Sequence, residues 1–254
     1  MKALISILFF ILVSNSFAED IRYYDVEIII LENLSENAKK AENWPLQVKL
    51  VPAEKTVQLG QPVLSDWLPQ NVDLKYSYKV LSADTYQLTS EVEKLSESKT
   101  QRVIFHTAWR QPGLDKKQAL PIYFKREIPA APSIIDENTE ESLSLNSENT
   151  NTHPSILEGI LRVTLARYLH LEAELTLRDK APEIVNSDNP FSVFDNESER
   201  IDIEKQGIIH FKQDRRRIRS SELHYLDHPA LGILIRITPF EKPEETVNEL
   251  TIKK

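Results

Sequence analysis

The sequence predicts a strand-rich α+β protein whose antiparallel sheets lie in two halves joined by an acidic disordered linker. Three observations predict it. Residues 157–178, "LEGILRVTLARYLHLEAELTLR", place apolar side chains at odd positions and mostly polar ones at even positions, the period of a strand rather than a helix. Further runs rich in isoleucine and aromatic residues recur between proline and glycine signals. Residues 136–150, "DENTEESLSLNSENT", carry five acids and no base, and such a segment buries too little surface to offset its ordering entropy.

The chain has 254 residues and a formal net charge of −8. Its first residues, "MKALISILFFILVSNSFAED", have a lysine at Lys2, an apolar run from Ala3 to Val13 and small residues at Ser16 and Ala18. That is the plan of a secretory signal peptide over 1–18, with cleavage expected after Ala18. The apolar run is shorter than the roughly 20 residues of a membrane span, so no membrane span is expected. The leader holds one base and no acid, so its removal takes the net charge from −8 to −9. An acidic whole argues against nucleic acid as the partner. With no cysteine, neither a lipid on a leader cysteine nor a disulfide is expected, which suits an oxidising compartment.

Element by element, the N-terminal half is 19–128. "IRYYDVEIIILEN" alternates and then runs apolar, as a strand. The proline-punctuated stretch that follows predicts irregular packing around Trp44 and Trp67. Ser82 is placed to cap a helix over 83–96, with Leu88, Val92 and Leu95 at helical spacing. "QRVIFHTAWRQPG" predicts a strand ending in a Pro-Gly turn, and "QALPIYFKRE" another strand. The linker is 129–152. The C-terminal half, 153–241, holds the alternating stretch. Strands rarely exceed about 10 residues, so a turn is expected near Ala166–Tyr168. "GIIHFKQDRRRIR" and "LGILIRITPF" supply two further strands. A charged tail, 242–254, is expected to fray.

Candidate binding residues come from two places. Trp109 and Arg110 sit in a stretch with a basic surplus: an indole can stack on a sugar and a guanidinium can grip a carboxylate. The alternative is that Trp109 is core. In "DRRRIRSSELHYLDHPALGILI", an extended chain would place Arg215, Arg217 and Arg219 on the face of Ile209 and Phe211. Either Glu172 and Glu174 neutralise them across strands or they form an anion patch, with Tyr225 close by in sequence. Glu222, His224 and His228 could form a two-histidine, one-carboxylate metal set. Asp227-His228-Pro229 breaks the helix such a spacing needs, so turn roles are favoured and no cofactor is expected. No GxSxG, HExxH, phosphate loop or cysteine nucleophile is present, so no catalytic residue is expected and the chain is read as a non-enzyme.

Four stretches, "YYDVEIIILEN", "VIFHTAWRQPGL", "LEGILRVTLARYLHLEAELTLR" and "RRRIRSSELHYLDHPALGILIRITPF", taken in order, resemble the CsiV family. These are cell-shape-integrity, periplasmic peptidoglycan-binding proteins of Gram-negative bacteria. The resemblance implies a periplasmic location, peptidoglycan binding and a role in cell-wall biogenesis. It also implies support of a bifunctional synthase, a penicillin-binding protein, through its outer-membrane lipoprotein activator. It supplies no catalytic residue. The alternatives are a periplasmic protein-protein adaptor without direct wall recognition, and a metallohydrolase.

Overall fold

The computed structural model describes residues 21–35, 37–38, 41–130, 154–180 and 207–243. The expected leader lies outside the described residues, as do most of the expected linker and most of the expected tail.

Two five-stranded sheets face one another. The first runs β3-β4-β1-β10-β9, from β1 (Tyr23–Asn33), β3 (Lys79–Val80), β4 (Gln101–Pro112), β9 (Leu223–Asp227) and β10 (Leu231–Phe240). The second runs β2-β5-β6-β7-β8, from β2 (Val57–Gln58), β5 (Ile122–Ile128), β6 (Ser155–Leu165), β7 (Leu169–Asp179) and β8 (Ile209–Ile218). All pairings are antiparallel except β2 with β5. Among the described residues, no helix is long and apolar enough to cross a membrane.

The sequence placed antiparallel sheets in two halves and left open whether the halves share a sheet; this order answers that each sheet draws strands from both. β9 and β10 come from the C-terminal half, yet they extend the sheet of β1 and β4. β5 comes from the N-terminal half, yet it pairs with β6. The reason is burial. One continuous apolar cluster takes Val26, Ile28 and Ile30 from β1, Ile233 and Ile235 from β10, and Leu157, Leu161, Leu171 and Leu175 from β6 and β7. Each fully buried aliphatic side chain contributes about 1.5–3 kcal/mol, and neither half can bury its apolar face alone. Phe105 of β4 stacks on Phe124 of β5, centroids 4.6 Å apart and planes within 7°, and joins the two layers.

The sequence of β1 follows from its position. Ile28 and Ile30 point into the sandwich. Ile29 and Leu31 point the other way, into a second small cluster with Leu88 that Val92 and Leu95 pack against. A strand covered on both faces reads as an apolar run rather than an alternation. The covering helix, α1, spans Thr89–Ser96, shorter than the expected 83–96. Residues Ala83–Thr85 form a separate 3-10 turn, and Ser82 precedes it without a side-chain cap bond. The cap comes instead from another strand: the Glu27 carboxylate accepts from the backbone N–H of Gln87 at 2.7 Å and of Leu88 at 3.0 Å.

The expected turn at 166–168 separates β6 from β7. Trp44 and Trp67 pack, partly buried, against the main core. Strand β9 was not expected; "LHYLD" reads as turn-forming from its neighbours, yet it pairs with β10 from Leu223 to Asp227.

Candidate ligand groove

Strand period puts Ile160 and Arg162 of β6 on the outer face of the second sheet, beside Glu172 and Glu174 of β7. The short turn at 166–168 sets the register: Arg162 lies opposite Glu172 and Ile160 opposite Glu174. On the far side Glu174 faces Lys212 of β8. The β8 ladder then shifts. Ala173 pairs with Gln213 and Leu171 with Arg216, so Asp214 and Arg215 together oppose the single residue Glu172. This is a β-bulge, which bends a strand and re-aims its side chains.

The result is an open groove of about 350 Å³ lined by Lys116, Ile160, Arg162, Glu172, Ala173, Glu174, Lys212, Gln213, Asp214 and Arg215. Lys116 arrives from the loop after β4, where the chain crosses from one sheet to the other. Gly113 is needed there, because a Cβ would lie 2.7 Å from the Tyr24 ring and 2.8 Å from Leu165. Two of the three acids lining the groove have partners within the protein. Glu172 accepts from Lys116 Nζ at 2.5 Å and meets Arg162 at 3.5 Å. Glu174 pairs with His210 at 2.9 Å. Lys212 and Arg215 have no ion-pair partner among the described residues, and the buried Nε of Arg162 has no hydrogen-bond partner. Next to the groove, His170 is held below the usual histidine range, first by burial and then by the positive field of Arg215.

Of the candidate binding residues read from the sequence, only Arg215 lines this groove; Glu172 and Glu174, named there as neutralising partners, line it too. Arg217 stands just beyond, its guanidinium over the Tyr168 ring. The bulge overturns the expected face: Phe211 and Ile218 are both buried in the core, while Arg217 pairs with His170 on the outer side. Glu172 pairs with Lys116 and Arg162, and Glu174 with His210, rather than with the arginine run. Among the described residues the Arg219 guanidinium has one ion-pair partner, Glu222, at 3.6 Å on the surface, a pair worth little.

The others lie elsewhere. Trp109 is 0% exposed, and its indole donates to Gln111 Oε1 at 2.8 Å, so it has no open face for a sugar. Arg110 holds Asp25 with two bonds of 2.6 and 2.8 Å and lies 3.2 Å over the Phe240 ring; its fork is already occupied. Tyr225 is on β9, in the other sheet, donating to Asp227 at 2.9 Å. Burial and that carboxylate push its hydroxyl up to about 12.

The alternative metal set does not assemble. His224 Nε2 accepts from the Arg219 N–H at 2.9 Å. His228 Nδ1 accepts from the N–H groups of Ala230 and Leu231 at 3.3 and 3.2 Å. Among the described residues, no group of three histidine or acidic side chains could hold a metal ion.

Part of the groove was legible. A two-stranded turn centred on Arg167 places 162 opposite 172. Lys116 and the bulge carried no sequence signal, because one depends on a distant loop and the other on strand pairing.

A family model described as "Peptidoglycan-binding protein, CsiV" matches residues 2–240. No curated protein and no solved structure matches the chain.

Proposed function

The chain belongs to the CsiV family of peptidoglycan-binding proteins, and from that membership we propose that it is a non-enzymatic peptidoglycan binder of the periplasm. The observation that carries this reading is the extent of the match, residues 2–240, which takes in both sheets. A wall ligand has the right chemistry for an open groove with unpaired cations, since its stem peptides end in carboxylates. In this reading the protein supports cell-wall assembly by aiding a bifunctional synthase through its outer-membrane lipoprotein activator.

A protein-protein adaptor without wall recognition is the second reading, favoured by one feature. Strand β9 is an edge strand, and Leu223 and Tyr225 on it are 39% and 46% exposed. Such an edge can accept a partner's strand.

Co-sedimentation of residues 19–254 with purified sacculi, with and without soluble muropeptides, separates the two. Pelleting that muropeptides abolish supports wall recognition. Absence of pelleting at low salt overturns it and leaves the adaptor.

A further inference from the structure

We propose that the groove over Glu172 is a carboxylate-binding site that takes the peptide part of a wall fragment, not its sugars, with Arg215 and Lys212 as the gripping groups. The inference rests on the wall-binding reading and adds the substrate class and the surface.

Four observations carry it. First, none of the ten side chains that line the groove is aromatic. Sugar recognition relies on aromatic faces, and the residue expected to supply one, Trp109, is buried in the core. Second, Glu172 is paired with Lys116 and Arg162 and Glu174 is hydrogen-bonded to His210, while Lys212 and Arg215 have no ion-pair partner among the described residues. Four bases outnumber three acids in the lining, and Lys212 and Arg215 are the cations open to a ligand anion. Third, the buried Arg162 Nε lacks a hydrogen-bond acceptor. A buried N–H without a partner costs about 1–3 kcal/mol, and a ligand oxygen or a water in the groove can supply the acceptor. Fourth, the β8 bulge puts Arg215 beside Lys212 at the groove rim, and bulges concentrate where a strand must re-aim a side chain.

The acids also define what the groove rejects. Glu172, Glu174 and Asp214 line it beside four bases. Densely charged polyanions such as nucleic acid phosphates would meet three carboxylates. A short peptide with one or two separated carboxylates can set these against Lys212 and Arg215 and lay its uncharged backbone beside the acids, and its length suits an open groove of about 350 Å³.

The test uses the full mature chain and a sugar-free stem peptide, followed by amide NMR and by competition in sacculus pull-downs. The expected result is peptide-dependent shifts confined to residues near 160–162, 172–174 and 212–215. Binding by Arg215→Gln or Lys212→Gln should be about tenfold weaker, the size of one lost charge-assisted contact. Arg216→Gln, whose side chain does not line the groove, should bind as the parent does. Arg215→Lys tests whether the planar fork matters beyond its charge. Sacculi that pellet the protein equally after an amidase strips their peptides would overturn this inference and leave wall binding standing. Shifts that map to β9 rather than the groove would overturn it too. Peptide binding at the groove without sacculus pelleting would uphold the site and overturn the wall reading.

Discussion

The guanidinium of Arg217 lies over the ring of Tyr168, its central carbon 3.4 Å from the ring centroid. The tyrosine belongs to the β6–β7 turn and the arginine to the edge strand β8, so the contact fastens the end of that edge to the hairpin beside it. Both groups are close to solvent, which limits the interaction to about 0.5–1 kcal/mol. A double-mutant cycle of Tyr168→Ala and Arg217→Ala should give a coupling of that size in urea denaturation. Arg217→Gln should also leave peptide binding within about twofold of the parent, since the side chain is engaged outside the groove.

Glu27 is 5% exposed and holds three groups: the Gln87 and Leu88 amides and, at 2.7 Å, His106 Nε2. Glu27→Ala removes a charged acceptor and leaves buried donors, a loss of roughly 3 kcal/mol. Hydrogen exchange should rise first at 87–96, because the start of α1 depends on this carboxylate. Equal loss of protection in β7 would argue against such a local role.

Trp109→Phe keeps an aromatic ring, though a smaller one, and deletes the bond to Gln111, whose amide donates in turn to the Val163 carbonyl at 3.1 Å across the sandwich. Stability should fall by about 1–2 kcal/mol. Sacculus binding by the folded variant should not change. A selective loss of binding would restore the indole as a ligand platform.

Gly159 stands where the alternation of β6 calls for an apolar side chain, and the Phe124 ring occupies that space. A Cβ there would overlap the Phe124 ring and approach Leu175 Cδ2 to 2.7 Å. Gly159→Val should therefore destabilise by about 1–3 kcal/mol or more, through overpacking. Phe124→Leu in the same chain should recover part of the loss. Additive losses in the pair would show that the ring is not the obstacle.

His228 is held below its ordinary pKa, first by burial, with Glu42 and Asp227 partly opposing the shift. Its Nδ1 accepts two backbone N–H groups and must stay unprotonated to do so. The unfolded chain takes a proton near pH 6.5 that the folded chain refuses. The contribution is thus complete above about pH 6.5 and is lost as pH falls from there toward the lowered folded value. His228→Gln should flatten that part of the stability–pH curve, measured by urea denaturation from pH 7.5 to 5. An unchanged curve would assign the slope to other groups, His170 among them.

Alternation by itself determined β6 and β7, the turn between them and the polar face that carries Arg162, Glu172 and Glu174, because side-chain direction in a strand is a local property with a period of two. The apolar run from Ile28 to Leu31 marked β1 as a strand, and the structure showed that both of its faces are covered. Only the tertiary structure decided that strands from both halves share each sheet, that Trp109 is core and that Arg110 is spent on Asp25. Those outcomes depend on which faces meet across the sandwich, which sequence-local patterns do not encode. The bulge at Asp214–Arg215 belongs to the same class. Strict alternation would have turned Arg217 toward Phe211, but burying Ile218 while leaving Arg217 in solvent offset one irregular pairing, and that choice left Arg215 at the rim of the groove.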